Sequence, residues 1–146
     1  MATELVDIQS SPMRWLLITA ALTTLISLAE AWLATFIVYG KSKTLKRLFP
    51  EVQNLIRSHI DYLLMTFLLT AIYFICSHLT ITLPSMIIFL LCLGALYNPF
   101  GFLIKAIKPR SGSDLDLVGK MGLYIGFLPI TIGAGYPMIL IALKLL

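Results

Sequence analysis

Residues 57–77 read RSHIDYLLMTFLLTAIYFICS. Arg57, His59 and Asp61 open the stretch, and no Lys, Arg, His, Asp or Glu follows within it. From Ile60 to about Thr80 the run is long enough to cross a bilayer as a helix, which takes about 20 apolar residues. A histidine and an aspartate at the head of such a segment either mark its water boundary or form the working end of a site.

The whole chain is of the same character. Its 146 residues are 59% hydrophobic and 12% charged, against about 45–50% and about 25% in soluble domains. That composition places it among membrane proteins. Three further segments reach membrane length: Trp15–Tyr39, interrupted by Glu30, then Ser85–Ile104 and Met121–Leu143. The expected fold is all-α, a four-helix transmembrane bundle in one domain. Arg14, the apolar stretch after it and AEA at 29–31 imitate a signal peptide. The apolar run resumes at once as WLATFIVYG, so the segment reads as a retained helix.

The formal charge is +4, and its placement is informative. Lys41, Lys43, Lys46, Arg47 and Arg57 lie between the first two segments, and Lys105, Lys108, Arg110 and Lys120 between the last two. Together they are nine of the eleven Lys and Arg. The positive-inside rule puts both loops in the cytoplasm and both termini outside, with a bacterial inner membrane as the expected setting. No basic stripe is interleaved with exposed aromatics, so nucleic acid is not an expected partner. Cys76 and Cys92 form no CxxC and no metal spacing.

In the first loop Leu45, Leu48, Val52, Leu55 and Ile56 recur at helical spacing. They fit either a short amphipathic helix lying along the headgroups or a plain polar connector. The second loop, KPRSGSDLDLVGK, reads as a turn with Ser113 or Asp114 capping a short helix.

Ionisable groups inside membrane helices are costly and usually face the protein interior. At a rise of about 1.5 Å per residue, Glu30, Tyr97, Asn98 and Tyr124 fall in the same leaflet as His59 and Asp61. Each has a structural alternative. His59 can bond water or a headgroup, Asp61 can suit the positive end of a helix dipole, and the tyrosines can belong to an aromatic belt. Glu30 is the hardest to dismiss, since a carboxyl so deep has to be protonated, paired or facing a cavity. His78 has no such company and reads as structural. In LYNPFGF, 96–102, Pro99 leaves the Ala95 carbonyl without its helical donor, which is tolerated where backbone lines a cavity.

No GxSxG, HExxH, P-loop or GxGxxG occurs, and two histidines are too few for a multi-histidine metal centre. One histidine suffices as the protein ligand of a haem iron.

With Ser58-His59-Ile60-Asp61 opening the second segment and Tyr97-Asn98 in the third, the chain resembles the hydroxylaminobenzene mutase and styrene oxide isomerase group of small four-helix membrane proteins. The resemblance implies a trimer holding b-type haem between subunits, with His59 as axial metal ligand. Tyr97 and Asn98 would orient a small apolar epoxide or N-hydroxy substrate, with Asp61 a further catalytic candidate and Glu30 and Tyr124 completing the polar layer. The iron would act as a Lewis acid in an isomerisation. Where that group has Asn, near the sixth position after the histidine, this chain has Met65, followed by Thr66. Arg57, His59 and Asp61 are also similar to the glutathione-binding start of a helix in membrane-associated eicosanoid and glutathione metabolism proteins. Glu30 in AEAW is similar to the lone acid of small proton-coupled multidrug transporters.

Overall fold

The computed structural model describes residues 12–108, 120 and 122–146. Among these, every regular element is helical. Helix α1 spans Arg14–Val38, a short α2 spans Lys43–Leu48, α3 spans Val52–His78 and α4 spans Ser85–Ile107. A π-helical segment, Gly122–Phe127, runs directly into α5, Leu128–Leu145. Four rods are long and apolar enough to cross a membrane: α1, α3, α4 and Gly122–Leu145. Large apolar side chains such as Trp32, Phe67, Phe89 and Ile139 face outward. Such a surface is a liability in water and the normal one against acyl chains.

Neighbours in sequence pack on one another: α1 on α3, α3 on α4, and α4 on α5 with its π-helical lead. Lipid tails are as apolar as leucine, so close backbone approach has to supply the attraction. It does so between α4 and α5. A Cβ on Gly94 would lie 2.5 Å from the Ile130 nitrogen, and one on Gly133 would lie 2.8 Å from the Leu91 nitrogen. No side chain fits at either crossing.

The interior is divided. One apolar cluster, including Leu16, Leu69, Ile72, Leu91 and Ile130, fills the half toward the termini. A second, of Ala34, Ile37, Phe49, Leu55 and Ala106, closes the basic end. Between the two, buried hydroxyls and an acid replace hydrocarbon: Thr23, Ser27, Glu30 and Ser58.

Several sequence boundaries move. Helix α3 begins at Val52 rather than near Ile60, about two turns earlier. The physical reason is Leu55, fully buried beside Phe49 and Ala106, together with the Glu51 N–H donating to the Ala106 carbonyl at 3.3 Å. Of the two readings left open for the first loop, a short helix forms; α2 ends at Leu48, and its N-cap Ser42 accepts from Leu45 N at 3.4 Å. Helix α4 runs unbroken through the buried Pro99 to Ile107. The expected cap at Ser113 or Asp114, and Arg110, lie outside the described residues.

Candidate functional site

The polar layer is built on the seam between α1 and α3. Along α1, Thr19, Thr23, Ser27 and Glu30 follow one another at helical spacing and all are buried. Thr23, Ser27 and Glu30 find partners across the seam, while Thr19 meets Cys92 of α4. Thr66 Oγ1 sits 2.8 Å from Thr23 Oγ1 and 3.2 Å from Thr24 Oγ1, and it donates to the Tyr62 carbonyl at 3.0 Å. Tyr62, almost wholly buried, sends its hydroxyl to the Leu96 carbonyl of α4 at 3.0 Å.

One rung nearer the basic end, Ser27 and His59 clasp each other. Ser27 Oγ donates to the His59 carbonyl at 3.0 Å, while His59 Nδ1 lies 2.7 Å from Ser27 Oγ and 2.9 Å from the Ser27 carbonyl oxygen. A carbonyl oxygen can only accept, so the contact to it is a hydrogen bond in the tautomer that carries its proton on Nδ1. In the neutral ring the lone pair is then on Nε2. Nε2 makes no hydrogen bond to any described residue, and the side chain is only partly buried.

The next rung is Glu30. Its side chain is 3% exposed, and Oε1 lies 2.8 Å from Ser58 Oγ. Ser58 Oγ is also 3.3 Å from the Pro99 carbonyl. The serine hydroxyl has one proton for these two acceptors, and Glu30 Oε2 is buried with no partner among the described residues. As an ionised carboxylate Glu30 accepts from Ser58 Oγ; with a proton on Oε1 it would donate to Ser58 Oγ and free that hydroxyl to donate to Pro99 O. So the backbone group that this proline puts to use is its own carbonyl.

The sequence-based candidates divide accordingly. Glu30 and His59 take part in the layer. His59 lies seven residues inside α3 rather than at its mouth. Asp61 is partly buried but has no hydrogen bond or ion pair among the described residues. It is about 200° around the helix from His59 at about 100° per residue, so the two do not share a face. Tyr97 is 43% exposed and packs edge-on against Phe100 at 6.2 Å. Asn98 borders a cleft between α4 and the π-helical segment. Tyr124 is exposed on that segment. These four are level with the layer or near it, but a single chain does not converge them on His59.

Ser27, Ser58, Tyr62 and Thr66 complete the layer and were not candidates from sequence. A lone hydroxyl in an apolar run carries little signal. The legible clue was the column Thr19, Thr23, Ser27, Glu30, which lies on one helix face. At the opposite end a separate cleft of about 350 Å³ lies among Trp15, Phe89 and Cys92, away from these polar groups.

Fold and layer together define a class: a membrane-length four-helix protein with a polar belt inside its basic half. No protein-family model, curated protein or solved structure matches the chain.

Proposed function

We propose that the chain is a membrane-embedded, haem-dependent isomerase that rearranges a small apolar epoxide or N-hydroxy compound. The observation that carries this reading is the His59 ring. Metal-bound histidines almost always donate their second N–H to a carbonyl or carboxylate, which fixes the ring and raises the basicity of the ligating nitrogen. His59 has that arrangement, with Nδ1 on the Ser27 carbonyl and Nε2 without a hydrogen bond among the described residues. A b-type haem bound through Nε2 would supply a Lewis acid for the substrate's oxygen.

The chain's own residues would do the rest. Ser27 holds the imidazole plane through its hydroxyl and carbonyl. The long apolar helices keep water from the reacting carbon, which favours rearrangement over hydrolysis. Asp61, Tyr97 and Asn98 are the proposed substrate-side groups. They lie away from the Ser27–His59 seam, so a neighbouring copy would face them toward His59; a homotrimer is the assembly proposed. The basic end is assigned to the cytoplasmic side of a bacterial inner membrane.

The test is turnover of styrene oxide or phenylhydroxylamine by the haem-loaded protein in labelled water. The account expects a rearranged product without solvent oxygen, lost in His59→Ala. Hydrolysis product alone, or undiminished turnover in His59→Ala, contradicts it.

The unpartnered Glu30 Oε2 favours a second reading, a small proton-coupled transporter of cationic compounds. That reading requires proton-driven dye efflux that disappears in Glu30→Gln.

A further inference from the structure

The glycines of the basic half are of two kinds. A Cβ on Gly126 would come within 2.8 Å of the Asn98 Cα, so that glycine is demanded by packing. Gly101 and Gly122 differ, because a Cβ on either would meet nothing within 4 Å among the described residues. Neither has a left-handed backbone that calls for glycine. Glycine weakens a helix relative to alanine, so neither conformation nor packing accounts for these two. Both border the same cleft, of about 260 Å³, between α4 and the π-helical segment. What their missing side chains do is leave its floor open.

The walls of the cleft are Phe102, Leu123 and Phe127. Two polar groups join them. Asn98 makes no hydrogen bond to a described residue, and Lys105 stands in the last turn of α4 with its ammonium 5.8 Å from the Phe102 ring centre. Among the described residues no acid lines the space. The volume is below the roughly 300–1,000 Å³ that encloses a drug-sized ligand. It suits one apolar arm of a longer molecule whose head stays outside, near Lys105. Basic pockets between membrane helices are suited to anionic headgroups.

From this geometry we infer that the cleft is a binding site for an anionic phospholipid. One acyl chain lies over Gly101 and Gly122 between the aromatic walls, and the phosphate pairs with Lys105. Asn98 borders both proposed sites, but Gly101, Gly122 and Lys105, which carry the test below, have no part in the haem reading, so the failure of one leaves the other standing.

Native mass spectrometry of the full chain in detergent tests it, with phosphatidylglycerol, phosphatidylcholine and dodecanoate as probes. Phosphatidylglycerol should be retained over phosphatidylcholine by about fivefold, the effect of one lysine beside an anionic headgroup. Lys105→Gln should erase that preference. Gly101→Leu places a side chain in open space, so helicity by circular dichroism should be unchanged while retention falls by about tenfold, as for a site whose apolar wall is filled. Equal retention of the two phospholipids, or full retention in a folded Gly101→Leu, overturns the proposal. Retention of dodecanoate alone, with the same dependence on Lys105, overturns its assignment to a phospholipid.

Discussion

Glu30 shows how one side chain can be tested by exchanging single atoms. A neutral carboxyl relieves the competition at Ser58 Oγ while Oε2 stays without a partner among the described residues, and a carboxamide reproduces the shape and a donor. Glu30→Gln should therefore leave the denaturation midpoint in detergent nearly unchanged. Glu30→Ala should destabilise by about 1–3 kcal/mol, because it opens a cavity and leaves the Ser58 hydroxyl only its longer bond to the Pro99 carbonyl. Equal losses in the two variants would contradict this description. Thr66 offers a milder case. Thr66→Val removes the bonds to Thr23 and Thr24, and hydrogen bonds between membrane helices are worth on average about 0.6 kcal/mol. A loss of that order in a chemical denaturation series is expected, and a loss several times larger would mean that the threonines hold more than each other.

At the scale of elements, the four spans were legible because apolar runs of membrane length have few other uses. The start of α3 was not. Gln53, Asn54 and Arg57 give the stretch a loop-like polarity, and only contact with Phe49 and Ala106 explains why Leu55 is buried there. That contact is tertiary, so no local pattern announces it. Likewise, spacing along α3 put His59 and Asp61 in one motif, while the helix turns them to different sides. The glycine crossings make the sharpest prediction at this scale. Gly94→Ala should cost more than 1 kcal/mol and loosen α4 from α5, since even a methyl meets the Ile130 backbone at 2.5 Å. Gly135→Ala, with nothing within 4 Å of the new methyl, should be neutral or stabilising by up to about 1 kcal/mol. Thermal melts of the two variants side by side check this; a reversed order would mean that α4 and α5 do not cross as described.

For the whole molecule, two apolar clusters with a polar belt between them form an arrangement in which helices are held by hydrocarbon at both ends and by hydrogen bonds in the middle. The proposed orientation can be checked with Cys76→Ala and Cys92→Ala in place, using an impermeant maleimide on intact cells. Leu146→Cys should be labelled and Lys43→Cys protected, and the opposite pattern would invert the topology. The proposed haem site requires His59 Nε2 to be a metal-binding nitrogen. Its most direct test is the absorption spectrum of the purified chain reconstituted with haem. A Soret band is expected for the wild type and for Glu30→Gln, with its loss in His59→Ala. No band in the wild type, or an unchanged band in His59→Ala, would contradict the account.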